Sequence, residues 1–398
     1  MKKRNLFVQT CCHALQVFSF RSILAFAVIL SFAAKTGVAA DHPTLPIGAK
    51  APDFSLKGVD GKMYSLKDFS KAKALMIVFT CVHCPTAQAY EDAIMQIVKD
   101  YKSKGLAVVA ISPNDPKSIR LDELGFTDLG DSYEDMVIRA KDKQFNFPFL
   151  FDGETSAASL KYGPQATPHV FIFDKDRTLR YSGRIDDGLG VPGKAKSFNT
   201  KKALDELLAG QTITVPKTKT FGCSIKWPEK QSLTNAEELS WAKEKVTIED
   251  IGIDSAKALL GNKSNNYRLI NVWATWCGPC VTEFPEFVTI NRMYRQREFE
   301  LTTISMDDPS RKKNALAFLT KKQASTKNYI LTGDKYQFID VLNKDWEGSL
   351  PYTILLAPGG KVLYSKQGLI DPLELKKLIV NSMGRVFELP PNIKIPEE

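Results

Sequence analysis

Eight residues constrain this chain more than any others: Trp273-Ala274-Thr275-Trp276-Cys277-Gly278-Pro279-Cys280. They continue the apolar run Leu269-Ile270-Asn271-Val272-Trp273, which reads as a short buried strand. After Cys280 the apolar positions change period, and Val281, Phe284, Phe287 and Val288 fall on one helical face. The two cysteines therefore straddle a strand-to-helix turn. Cys277 lies at the helix N-terminus and Cys280 one turn further in, on the same side, so their sulfurs can meet as a strained, reducible disulfide. The unpaired N–H groups and partial positive charge of a helix N-terminus stabilise a thiolate on Cys277. Pro279 suits the first turn, where its missing N–H costs nothing. Half of a zinc site and a structural disulfide are the alternatives, but no second CxxC lies within zinc-ribbon spacing.

At 398 residues the chain exceeds one ordinary domain, so two cores are expected. Residues 1–40 are unlike the rest. Lys2, Lys3 and Arg4 form a basic start, Ser22 to Ala34 is an uncharged apolar run, and Val38-Ala39-Ala40 offers small residues for cleavage before Asp41. This pattern predicts a secretory signal peptide, with an uncleaved membrane anchor as the alternative. No cysteine directly follows Ala40, so a lipoprotein cleavage box is absent. The leader carries five basic and no acidic side chains, and without it the formal charge falls from +9 to +4. The basic balance thus reflects export and gives no reason to expect nucleic acid. Of the 7 cysteines, Cys81, Cys84, Cys223, Cys277 and Cys280 lie beyond the leader. Export places them where disulfides form, in the periplasm or cell envelope.

The first half repeats the strand–CxxC–helix order. Residues 52–56 and 62–66 alternate around Gly58 to Gly61 as a hairpin. Ala74 to Phe79 reads as a buried strand ending at Thr80-Cys81-Val82-His83-Cys84-Pro85, and a helix follows with Tyr90, Ile94, Ile97, Val98 and Tyr101 on one face. Leu106 to Ile111 is the next strand, and a polar, partly helical insertion runs from about Pro116 to Gln144. Thr167-Pro168 precedes a hairpin formed by His169 to Phe173 and Leu179 to Gly183, and Lys201 to Leu208 closes the half as a helix. His83 is either an exposed turn residue or an electrostatic tuner of the dithiol.

Residues 217–233 read as a linker between units 41–216 and 234–388, with 389–398 a loose Pro-rich tail. Cys223 within the linker is expected as a small buried hydrophobe. The alternative is a thiol that resolves Cys81. In the second unit, Ala236 to Lys245 reads as a helix and Val246 to Ile248 as a strand leading to the WCGPC site. Pro285 is expected to kink the helix after the site. Leu301 to Ser305 is a strand, Pro309 to Lys322 a helix, and Leu350-Pro351 precedes the strand Tyr352 to Leu356.

WCGPC at such a junction resembles thioredoxin, and Trp273 to Pro285 with Glu283-Phe284-Pro285 more closely resembles the TlpA/ResA group of envelope thiol–disulfide oxidoreductases. The first half resembles the redoxin (AhpC/TSA-type) branch through FTCVHCPTAQAYE, Ser112-Pro113-Asn114-Asp115, Thr167-Pro168 and Gly183-Arg184-Ile185-Asp186-Asp187. The resemblance implies an α/β class with two tandem thioredoxin-fold domains, mixed sheets flanked by helices. It also implies that Cys277 attacks a substrate disulfide and Cys280 resolves the mixed disulfide, with Cys81 and Cys84 in the same roles. Glu283 becomes the acid–base group, since the strand position of thioredoxin's buried Asp is Asn271 here. Pro168 and Pro351 are implied to be cis, and Thr167, Leu350 and Trp276 to line the substrate path. The activity implied is disulfide exchange with protein thiols in cytochrome maturation or envelope redox homeostasis. No cofactor is expected. Electrons come from a membrane or soluble donor, and the membrane is a partner only if the leader stays uncleaved. Two alternatives remain for the first CxxC. A peroxiredoxin-type thiol peroxidase wants Thr three and Pro seven residues before its cysteine, where Cys81 has Val78 and Ala74. A copper-binding chaperone would use Cys81, Cys84 and His83, as copper-delivery thioredoxin-fold proteins do with longer spacing. A cationic His83, and Ala87 where Glu283 falls if the two CxxC motifs are superposed, predict that the first dithiol is the more oxidising.

Overall fold

The computed structural model describes residues 42–191 and 193–386, so the expected signal peptide and the tail lie outside the described residues. No described helix is long and apolar enough to cross a membrane. Two mixed β-sheets organise the rest. The first has seven strands: β1 (Ser55–Gly58), β2 (Met63–Ser65), β3 (Ala74–Phe79), β4 (Leu106–Ser112), β5 (Phe149–Phe151), β6 (His169–Phe173) and β7 (Leu179–Gly183), in the order β2-β1-β5-β4-β3-β6-β7. Every residue of β3 is buried, as a central strand covered on both faces requires. Its alternate residues enter two apolar clusters, Met76 and Val78 in one and Leu75, Ile77 and Phe79 in the other. Around this sheet lie α1 (Pro85–Tyr101), α2 (Tyr133–Lys143), α3 (Ala157–Tyr162) and α4 (Asn199–Leu208).

After α5 (Gln231–Trp241) the second sheet has six strands: β8 (Glu249–Ile251), β9 (Tyr267–Trp273), β10 (Phe299–Ser305), β11 (Lys327–Leu331), β12 (Tyr352–Leu356) and β13 (Val362–Gln367), in the order β13-β12-β9-β10-β11-β8. Its helices are α6 (Ile253–Leu260), α7 (Gly278–Tyr294), α8 (Lys312–Lys321), α9 (Lys335–Leu342) and α10 (Pro372–Met383). Trp273 packs edge-on against Phe284 and tilted against Phe318, fixing the start of α7 over the sheet.

Several expectations need correction. The helix expected at 236–245 is α5, displaced toward the N-terminus, and the strand expected at 246–248 is β8. α6, β11 and α9 were not apparent from periodicity. The stretch 217–227 is packed on the first sheet rather than spanning open space. Ser182 N–H donates to Pro216 O (3.0 Å) and Thr218 N–H to Ser182 O (3.1 Å) at one end. At the other, Asp115 N–H donates to Lys226 O (2.8 Å), and buried Lys226 pairs with Glu123 at 2.5 Å. Backbone groups brought into a buried position need such partners. The insertion after β4 also touches the second sheet's layer: Tyr294 Oη donates to Thr127 O (2.8 Å) and Arg297 to Gly125 O (2.8 Å).

Candidate active sites

In the second site β9 delivers the chain to Cys277, the N-cap of α7, with extended φ −88° and ψ 102°. Its sulfur accepts the Cys280 N–H at 3.2 Å, one of the donors a helix start leaves unpaired. Cys277 and Cys280 form a disulfide with Cα atoms 5.3 Å apart. The turn is held from below by Asp307, which accepts from Thr275 N–H (2.9 Å) and Thr275 Oγ1 (2.6 Å). Trp276 stands 62% exposed beside the disulfide, while both sulfurs are nearly covered. Leu350–Pro351 is cis, and Tyr352 after it pairs with Val272 of β9. Among the described residues the Leu350 backbone makes no hydrogen bond. Glu283, one helical turn after Cys280, is buried and accepts Ile370 N–H at 3.0 Å. Burial, opposed by hydrogen bonds with Ile370 and Asn271, pushes its carboxyl up to about 7.

The first site is displaced against the second. Phe79 pairs with His169 and Ile111, as Val272 pairs with Tyr352 and Ile304, so Phe79 and Val272 occupy one position in the two sheets. Asp115-Pro116 and Asp308-Pro309 then coincide, and each Asp caps a short 3₁₀ turn. Counting forward, Cys84 coincides with Cys277, and both are N-caps of 17-residue helices. Cys84 Sγ accepts Ala87 N–H at 3.4 Å. Cys81 falls where Ala274 is, His83 where Trp276 is, and Ala87 where Cys280 is. The expectation that Cys81 and Cys84 repeat the roles of Cys277 and Cys280 is therefore corrected: the motif recurs in sequence but not in space.

Cys84 finds another partner. It is disulfide-bonded to Cys223, Cα to Cα 6.0 Å, and Cys81 is a buried free cysteine. Cys223 is thus neither an inert hydrophobe nor joined to Cys81. Thr167 and Cys223 form an antiparallel bridge, Thr167 N–H to Cys223 O at 3.0 Å and Cys223 N–H to Thr167 O at 3.2 Å. Thr167–Pro168 is cis. Cys81 Sγ lies 3.2 Å from Thr167 Oγ1, and Cys84 Sγ 3.5 Å from Thr167 O.

His83 is buried, correcting the exposed-turn alternative, and its Nδ1 lies 2.6 Å from Asp131. Burial lowers its pKa, but the Asp131 and Cys81 charges and hydrogen bonds overcome this and push it up to about 10. Asp131 resists its own burial and is lowered, chiefly by the His83 charge. Its carboxylate also accepts Val82 N–H (2.7 Å), His83 N–H (2.9 Å) and Asn114 Nδ2 (2.7 Å). Asp131 does for this turn what Asp307 does for the other, with Asn114 standing at the place of Asp307. Cys81, His83 and Asp131 put potential ligand atoms within 4.8 Å of one another. The set fits a copper ion poorly. Asp131 already accepts four N–H groups, Nδ1 of His83 is one of them, and Cys84 is in a disulfide. Sequence reasoning missed Asp131 and the Cys84–Cys223 pair. The signal for Asp131 is its place just before the Ser132–Asp135 capping box that opens α2.

Two mixed sheets, each feeding a cysteine-capped helix, define a thioredoxin-fold protein with α/β architecture. The AhpC/TSA family model matches residues 47–182 and 243–365, and the chain belongs to that family. The thiol–disulfide oxidoreductase ResA of Bacillus cereus is 23% identical over 187 residues, 47% of this chain and 90% of the relative. The thioredoxin-like protein YneN of Bacillus subtilis is 30% identical over 133 residues, 33% of this chain and 68% of the relative. A solved structure of an uncharacterized conserved protein from Geobacillus kaustophilus is 34% identical, covering 46% of this chain and 92% of its own, with a TM-score of 0.41. The chain is a thioredoxin-like thiol–disulfide oxidoreductase.

Proposed function

We propose that this is an exported oxidoreductase that exchanges disulfides with protein substrates, in cytochrome maturation or envelope redox homeostasis. The supporting observation is the Cys277–Cys280 disulfide at the N-cap of α7, beside exposed Trp276 and a Leu350 backbone left unpaired among the described residues. Cys277 attacks as thiolate, favoured by the helix terminus, and Cys280 resolves. Glu283, one turn along α7 and half-protonated near neutrality, serves as the proton acceptor for Cys280. Leu350 and Pro351 present the edge along which an extended substrate lies, and residues 234–388 carry this site. Residues 41–216 carry a second redox centre at Cys84, which is disulfide-bonded to Cys223 of the following segment, with Cys81 beside it and Thr167 and Pro168 at the corresponding edge. The decisive experiment is trapping in envelope extracts with Cys280→Ser. Stable mixed disulfides through Cys277 are expected, and their absence under oxidising conditions would overturn the reading.

A further inference from the structure

Resting on that reading of the chain as a disulfide exchanger, one difference between the sites stands out. Among the described residues the backbone before Pro351 is unpaired, whereas its counterpart before Pro168 is already paired by the chain's own Cys223. The fit is close. A Cβ on Gly222, which sits at φ +152°, would run into the Thr167 carbonyl, so only glycine lets the strand approach this near. The segment is fastened at Thr218 and at Lys226, so Cys223 is held in place rather than swung to another site. Of the three sulfurs, Cys81 and Cys84 are covered, whereas Cys223 lies half-buried against them.

We propose that the first domain works through three cysteines. Cys84 is the central sulfur, Cys223 is the outward sulfur on a built-in strand, and Cys81 is the buried thiol that displaces Cys223 from Cys84. In the step, the Cys81 thiolate attacks Cys84 Sγ. The Cys81–Cys84 bond forms, the Cys84–Cys223 bond breaks, and Cys223 leaves as a thiolate. One proton leaves Cys81 and one joins Cys223 from solvent, and no electron is gained or lost. The His83–Asp131 pair, whose polar atoms lie within 4.8 Å of Cys81 Sγ, supplies a cation beside the attacking sulfur. The exchange moves the disulfide inward and presents a free thiol at the surface. That thiol is available to a protein disulfide or to an oxidised small thiol such as glutathione disulfide.

The test uses the full chain with Cys277→Ser and Cys280→Ser, oxidised to its single first-domain disulfide. It is incubated at neutral pH with a bulky maleimide and digested, and the linked peptides are mapped by mass spectrometry. The expected result is progressive label on Cys223 with a Cys81–Cys84 linked peptide appearing in step. Cys81→Ala should slow Cys223 labelling by at least about tenfold. Gly222→Val, which crowds the Thr167 carbonyl, should hasten it while leaving all three sulfurs present. Label confined to Cys81, with no Cys81–Cys84 peptide in either the parent or the Gly222→Val chain, would overturn the proposal. Disulfide exchange at the second site fails separately, if the chain with Cys277 and Cys280 intact does not reduce insulin disulfides.

Discussion

The two cysteine sites present the same four-residue spacing on the same strand–helix corner, yet they stand three residues out of register. In the second, the first cysteine caps the helix and the partner lies one turn inside it. In the first, the second cysteine caps the helix, the inside position is Ala87, and the partner arrives from residue 223. One consequence is openness. Among the described residues the second site leaves the Leu350 backbone unpaired and Trp276 exposed, while the first fills the matching edge with its own chain. The other is charge: Trp276 is replaced by a buried His83–Asp131 pair. A short motif specifies which sulfurs are near a helix start. It does not specify which of them is the cap.

The largest effect separates the caps. Cys277→Ser should lower insulin reduction by more than about a hundredfold, as loss of a nucleophile does. Cys81→Ser, the motif's first cysteine in the other site, should leave the Cys84–Cys223 disulfide in place on peptide mapping. If instead Cys81→Ser abolishes that disulfide, the register comparison is broken.

Next comes the buried pair. Asp131→Ala leaves a buried cation and the Val82 and His83 N–H groups without their acceptor, which should cost roughly 3–5 kcal/mol in denaturant melts. Asp307→Ala removes the matching anchor at a site with no cation and should cost less. The pH dependence carries a sign. His83 is raised from 6.5 to about 10, so its contribution is complete below about 6.5 and is lost as pH rises through about 10. Asp131 is lowered, so its contribution is present above its ordinary 3.8 and is lost as acid protonates the folded form. Stability of the parent relative to His83→Asn should therefore show a plateau between these limits. A difference independent of pH would mean that the pair is not ionic.

Much of this was legible in the sequence. The apolar runs and the change of period placed β3, β9 and the helices after them, and the Thr167-Pro168 and Leu350-Pro351 steps were found by element order. What escaped was of two kinds. Asp131 and Cys223 reach the first site across 48 and 139 residues of chain, and no local pattern reports such a meeting. The three-residue displacement escaped because apolar runs do not fix the last strand residue. Phe79 precedes Cys81 by two residues, whereas Val272, its counterpart, precedes Cys277 by five. Superposing the two CxxC motifs hid that difference. The match of Glu283 with Ala87 was an artefact of the same superposition; by position in the fold its counterpart is Tyr90.

The smallest expected effect is on redox potential, and the corrected register alters its cause. The cap thiolates of Cys84 and Cys277 each receive one N–H from the first turn of a helix of equal length, so the helix ends do not distinguish them. Two features do. His83 places a cation within 4.8 Å of Cys81 Sγ in the same buried sulfur cluster, although Asp131 offsets much of its charge. Glu283 places a carboxyl titrating at about 7 one turn from Cys280, whereas Tyr90 at the matching place is raised by burial and by its hydrogen bond to Asp186 and stays neutral. A negative carboxyl disfavours thiolates, so the second couple becomes the more reducing as Glu283 ionises. The gap should be small near pH 6 and widen by pH 8 to about 30 mV, the equivalent of 1.4 kcal/mol for two electrons. Glutathione-buffer titrations at the two pH values, read by peptide mapping, measure both couples in one chain. Glu283→Gln should abolish the widening, and His83→Asn should narrow the gap at both pH values. A first-domain couple more reducing than Cys277–Cys280 at pH 8 would show that the tethered strand, not the charges, sets its potential.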